Sequence, residues 1–231
     1  MKLCNIKQRD IKPVYNYIIV IVYFALTIFF ETTYSNIVLA KIYDNMLFWD
    51  KYFDFIFYGS FMLVFIIVYR KYILDCIKCL NKDYFKYVAY AVVFIIVTMV
   101  ISAIALSGMG VGQSDNQDAI NQNISHNTLI TYIVVVFAGP FVEELIFRKN
   151  IYTFIRNMAG VKCALVFSAL IFALYHCDIV IFLNMEFSQI LAVIPLFFMG
   201  LVLAYTQEKT TDIVCPVLVH MIINVISLSQ E

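Results

Sequence analysis

Apolar residues in this chain come in blocks long enough to cross a bilayer, separated by short stretches where charge collects. The runs are Val14–Phe30, Phe53–Tyr69, Tyr84–Leu106, Leu129–Phe147, Cys163–Leu183, Phe187–Tyr205 and Ile213–Leu228. Nearly all reach the roughly 17–25 residues that carry a helix across about 30 Å of hydrocarbon. Inside lipid each segment must satisfy its own backbone N–H and C=O groups, so the blocks are predicted as helices. The expected fold class is all-α, a polytopic transmembrane helix bundle of about seven spans.

Lysine and arginine orient that bundle. With the N-terminus in the cytoplasm, the inner segments hold Lys2, Lys7, Arg9, Lys12, Arg70, Lys71, Lys78, Lys82, Lys86, Arg148, Lys149, Arg156, Lys162 and Lys209. The outer segments keep only Lys41 and Lys51, a bias that follows the positive-inside rule and fits an odd number of spans. The basic start resembles a secretory signal, but the first run is long and no A-x-A-like site follows it, so it is read as a retained helix. Gly108 to Asn127 is rich in Gly, Ser, Asn, Gln and Asp and carries no Lys or Arg. It divides one membrane domain into a front three-helix part (1–107), a polar outer loop (108–127) and a back four-helix part (128–231). His126 and the sequon Asn123-Ile-Ser125 fall in that loop, where a solvated histidine is unremarkable.

Composition agrees: 63% of residues are hydrophobic and 14% charged, against about 45–50% and 25% in a soluble domain. The formal net charge is zero, so no basic surface points to nucleic acid. The six cysteines follow no disulfide-scaffold spacing, and Cys76-Ile-Lys-Cys79 lacks the βαβ setting of a redox motif. The abundance of Ile, Tyr, Phe, Lys and Asn is that of an AT-rich bacterial source, which makes the bacterial cytoplasmic membrane the expected location.

Against this apolar background, a few polar residues stand out. Gly139-Pro140-Phe141-Val142-Glu143-Glu144-Leu145-Ile146-Phe147-Arg148 puts two carboxylates and an arginine at the end of the fourth run. A charge near the bilayer centre costs between about 2.5 and 17 kcal/mol, so such groups face a protein interior or a cavity. Glu144 and Arg148 are four apart and share a helix face. Glu143 is rotated by about 100° from Glu144 and is free to face elsewhere. His176 follows Phe172 by one turn, with Ser168 and Ala169 offering small residues for a close helix contact. His220 and Asn224 also stand one turn apart, on one face of the last run. By rise per residue the three sites lie within about 10 Å in depth, a spread that tilt or a kink at Gly139-Pro140 removes.

Glu143-Glu144-x-x-x-Arg148, Phe172-x-x-x-His176 and His220-x-x-x-Asn224 resemble, in order, the three signature motifs of the CPBP (Abi) family. That family of membrane-embedded proteins includes the type II CAAX prenyl endopeptidases. The resemblance covers residues 143–224 and implies an intramembrane endopeptidase of the glutamic type. By that analogy Glu143, with His176, positions and deprotonates a water, while His220 and Asn224 donate hydrogen bonds to the oxyanion. Glu144, Arg148 and Phe172 take supporting roles. It implies no cofactor. Zinc on Glu143, His176 and His220 is the rival within enzymology, although HExxH is missing and the ligands would come from three helices. Partners are the lipid bilayer and a peptide or membrane-protein substrate, in bacteriocin or signalling-peptide maturation, self-immunity or regulatory proteolysis. The alternative is a non-catalytic scaffold or immunity protein of the same fold that binds a partner such as a sensor kinase. A proton-coupled transporter is disfavoured by the odd span count and the lack of internal repeats.

Overall fold

The computed structural model describes residues 13–40, 46–111, 120, 129–177 and 187–229. His126, the sequon, most of the 108–127 loop and the N-terminal lysines and arginine lie outside them. The described chain is helical, without a strand. Helices α1 (Pro13–Ala40), α2 (Met46–Lys78) and α3 (Lys82–Gly108) form the front part. A π-helical segment, Ile133–Ala138, then leads into α4 (Gly139–Glu144) and a second π segment, Leu145–Tyr152. Next come α5 (Thr153–Tyr175), the short α6 (Phe187–Ala192), α7 (Ile194–Thr210) and α8 (Val214–Leu228).

Among the described residues, four helical stretches are long and apolar enough to cross a membrane: Tyr52–Lys78, Lys82–Gly108, Leu129–Tyr175 and Ile190–Thr210. Tyr15–Phe29 and Val214–Leu228 are shorter apolar helices. The stretch Leu129–Tyr175 is 47 residues long and holds two of the expected spans. Gly160 separates them with φ 82° and ψ 176°, a conformation that costs glycine little and a residue with a Cβ a great deal. The chain folds back there, and α5 packs on the second π segment. The protein is a multi-pass membrane protein whose side chains fit that medium: Phe85, Ile67, Ile104 and Leu129 are all strongly exposed on helix surfaces.

Two expectations need correction here. The fourth span does not end at Phe147: the helix continues through Arg148 and Lys149, and both are buried. The fifth span does not run on to Leu183 as one helix: α5 ends at Tyr175, and His176 is its C-cap with φ −89° and ψ 5°. Cys76 is a free buried thiol while Cys79 is disulfide-bonded, so the two do not bridge each other.

The core is shared between front and back. One cluster joins Tyr23 of α1 and Phe65 and Tyr69 of α2 to Val142, Leu145, Phe147, Phe172 and Val217. Phe57, Phe61, Phe65 and Tyr69 recur every four residues and stack edge to face along α2, with centroids 5.0–5.8 Å apart. A second cluster packs α3 against α7 and α8 through Ile95, Leu203, Val219 and Ile223. Local chemistry fixes the helix starts: Asn81 caps α3 through the Asp83 N–H at 2.9 Å, and Asp212 accepts from the Val214 and Cys215 N–H groups ahead of α8.

Helices α5 and α7 cross tightly where Gly200 meets Ala169. A Cβ on Gly200 would stand 3.0 Å from Ala169 Cα and 3.2 Å from its carbonyl oxygen. The Gly200→Leu variant is expected to lose about 1–3 kcal/mol of stability, seen as a lower unfolding midpoint in detergent. An unchanged midpoint would show that the crossing tolerates separation.

Candidate active site

Gly139-Pro140 shapes the helix that carries the acids. Pro140 has no N–H and its ring crowds the preceding turn, and the turn before it widens into the π segment Ile133–Ala138. The Gly139 N–H goes to Val134 O, while the next N–H that could reach Val135 O would belong to Pro140, which has none. Asn224 Nδ2 donates to that carbonyl at 2.7 Å. The second π segment is served from within, Asn150 Nδ2 donating to Leu145 O at 2.8 Å and Thr153 Oγ1 to Arg148 O at 3.3 Å. Wide turns of this kind recur at functional sites.

Glu143 and Glu144 leave α4 in different directions. Glu144 Oε2 lies 3.1 Å from Arg148 Nε, both side chains fully buried, and Arg148 stacks on Phe172 with 4.7 Å from Cζ to the ring centroid. The other Glu144 oxygen, Oε1, accepts from His220 Nδ1 at 2.9 Å. The acid read as an arginine partner therefore also orients a histidine, a link between residues 76 apart that helical spacing cannot reveal.

Glu143 faces both imidazoles. Its Oε2 is 3.6 Å from His176 Nε2 and 3.9 Å from His220 Nε2, just beyond direct hydrogen-bond length. His176 Nδ1 donates to Phe172 O at 2.8 Å. A carbonyl and a carboxylate only accept, so each ring commits its Nδ1–H away from the centre and turns Nε2 toward Glu143. The Phe172 ring sits between the two histidines, 4.6 Å from His176 and 5.8 Å from His220.

The structure thus brings Glu143, Glu144, Arg148, Phe172, His176 and His220 together, from α4, the second π segment, α5 and α8. Asn224 lies one turn beyond His220 with one amide N–H on the helix backbone rather than turned to the acids. Several polar atoms here have no hydrogen-bond partner within the described protein: Glu143 Oε2, Glu144 Oε2, all three Arg148 nitrogens and, elsewhere on α5, Ser168 Oγ. Buried polar atoms left in this way are ordinarily met by ordered water. No group of three or more His, Cys, Asp or Glu among the described residues is arranged to hold a metal ion.

Residues 125–226 match the family described as Rce1-like, type II CAAX prenyl endopeptidase Rce1-like. The match covers the back part of the chain. All three motif pairs fall inside this match. Neither the curated proteins nor the solved structures gave a match to the chain.

Sequence reasoning missed the front helices' part in the site. Tyr175, next to His176, has its hydroxyl 2.6 Å from that of Tyr23 on α1 and 3.3 Å from that of Tyr58 on α2. The period-four aromatic repeat on α2 was the available signal.

Removing Glu144 strands Arg148 without its counter-ion inside the bundle. Glu144→Ala is expected to cost about 3–5 kcal/mol, read as reduced membrane abundance and a lower unfolding midpoint. Full abundance with an unchanged midpoint would mean the pair is not structural.

Proposed function

We propose that this protein is an intramembrane endopeptidase in which Glu143 acts as general base on a water molecule. The observation that carries the reading is Glu143 Oε2, buried and facing two Nε2 atoms at 3.6 and 3.9 Å. One oxygen atom placed about 2.8 Å from Glu143 Oε2 fits equally well within hydrogen-bond length of either ring nitrogen. The site is made for a shared solvent molecule rather than for direct pairing.

In this mechanism Glu143 takes a proton as the water oxygen attacks the scissile carbonyl carbon. His176, its Nδ1–H fixed on Phe172 O, holds the water through Nε2. The proton taken up by Glu143 then passes by way of that Nε2 to the leaving amide nitrogen as the C–N bond breaks, and Glu143 returns to its carboxylate. His220 Nε2 is the donor to the oxyanion, and Glu144 Oε1 meets the other nitrogen of that ring. The remaining amide N–H of Asn224 is the second donor. Donors of this kind in a water-poor site are worth about 2.7–4 kcal/mol each. Phe172 keeps the rings apart, and Arg148 holds Glu144 in place. The chemistry needs no cofactor. The substrate is a membrane-associated protein or leader peptide in a bacterial cytoplasmic membrane, cleaved in bacteriocin or signalling-peptide maturation, self-immunity or regulatory proteolysis.

Comparing the membrane peptidome of cells carrying wild-type protein and Glu143→Gln tests this directly. We expect a set of peptides present with the wild type to vanish in Glu143→Gln, His176→Ala and His220→Ala cells, a loss of about 100-fold or more, at equal protein level. If the peptides and the cellular phenotype persist in Glu143→Gln, the catalytic reading fails and a contact-mediated immunity or scaffold role replaces it. Purified protein treated with a chelator is expected to keep its activity and to hold zinc well below one ion per chain. Stoichiometric zinc lost together with activity would reassign Glu143, His176 and His220 as ligands.

A further inference from the structure

Three tyrosine hydroxyls from three helices meet beside the acids. The Tyr175 hydroxyl is 2.6 Å from that of Tyr23 and 3.3 Å from that of Tyr58. Tyr23 is fully buried, in contact with Phe61 of the α2 ladder. Tyr175 packs on Phe147 and on His176, with centroids 5.3 Å away in each case. The cluster therefore touches the second π segment and the end of α5, the two places that frame Glu143.

Counting protons gives the cluster a direction. Each phenol has one O–H to give, and two hydrogen bonds among three hydroxyls consume two of them. The third donor is left for an acceptor outside the row, and when the bonds run head to tail from Tyr23 through Tyr175 it is that of Tyr58. Tyr58 and the acid border the same gap, which Gly139 leaves open. The point where a Gly139 Cβ would stand is 4.0 Å from Tyr58 Cε1, 3.6 Å from Glu143 Oε1 and 3.2 Å from Val134 O. Glu143 is also close enough to act electrostatically on the hydroxyls of Tyr23 and Tyr58.

We infer that Tyr23, Tyr175 and Tyr58 form a hydroxyl relay whose terminal donor holds Glu143 Oε1, directly or through one water, and so turns Oε2 toward the two histidines. The tyrosines are positioning residues: they act through the carboxylate and not on the substrate. This makes the front helices part of the catalytic apparatus rather than a membrane anchor for it. The inference rests on Glu143 being the working acid, but its test does not depend on peptidase activity.

Infrared spectra of the purified protein in bilayers, taken across pH, contain a carboxylate band of Glu143 that is identified by its loss in Glu143→Gln. In Tyr58→Phe and Tyr23→Phe, each keeping the ring and losing only the hydroxyl, that band is expected to shift in frequency and in titration midpoint. The unfolding midpoint serves as the control for general damage. Gly139→Ala, which fills the gap and leaves every tyrosine hydroxyl in place, is expected to shift the same band, and it decides the matter should either phenylalanine variant fail to fold. A Glu143 band unmoved in all folded variants overturns the relay, whatever the peptidome shows. Shifted bands without peptide cleavage would uphold the relay and count against the peptidase reading alone.

Discussion

The interaction on which the structure depends is the fully buried contact between Glu144 and Arg148. Neither charge is tolerable alone in a hydrocarbon-surrounded bundle, and their attraction offsets desolvation only where further contacts meet the remaining atoms. Phe172 offers its ring face to the guanidinium, a favourable contact for a desolvated cation. His220 takes the free carboxylate oxygen. Through these contacts α4, the second π segment, α5 and α8 are tied at one point. The same contacts fix the rotation of His220 and the placement of Phe172 between the imidazoles. A stability device and an orientation device are therefore one cluster of side chains.

A second constraint is the backbone. Gly139-Pro140 forces a wide turn into a helix at membrane depth, where a released carbonyl needs a partner within the protein. Asn224 answers it from another helix, so the residue that completes the third motif also seals the first. This couples α8 to the helix carrying the acids at two levels one turn apart, His220 on the carboxylate and Asn224 on the carbonyl. The arrangement explains why an irregular helix can persist at membrane depth. Each irregularity has a named donor.

The front helices are integrated through aromatic rings rather than charges. Phe57, Phe61, Phe65 and Tyr69 form a ladder on α2 against which Tyr23 packs. The Tyr69 hydroxyl reaches Asn150 in the second π segment. Large rings bury much area at little rotamer cost, which suits an interface between helices in a medium where burial alone drives little association. The tyrosine hydroxyls then supply the few polar contacts near the acids.

Much of this was legible in the residues alone. Apolar block length gave the helical class and the number of spans, because the bilayer sets one length for every crossing element. The four-residue spacings of Glu144 with Arg148, Phe172 with His176, and His220 with Asn224 are local helix geometry, and the family's motifs share that spacing. What the spacing could not carry was any relation between helices. That Glu144 holds His220, that Asn224 binds Val135 O, and that Tyr23 and Tyr58 meet Tyr175 are contacts between residues 76 to 152 apart. The burial of Lys149, counted with the cytoplasmic charges, was likewise decided by the second π segment continuing the helix past Phe147. Sequence determines what each helix displays on its faces, since 3.6 residues make a turn wherever the helix lies. Only packing determines which faces meet, because that choice depends on shape and on polar groups finding partners across the bundle.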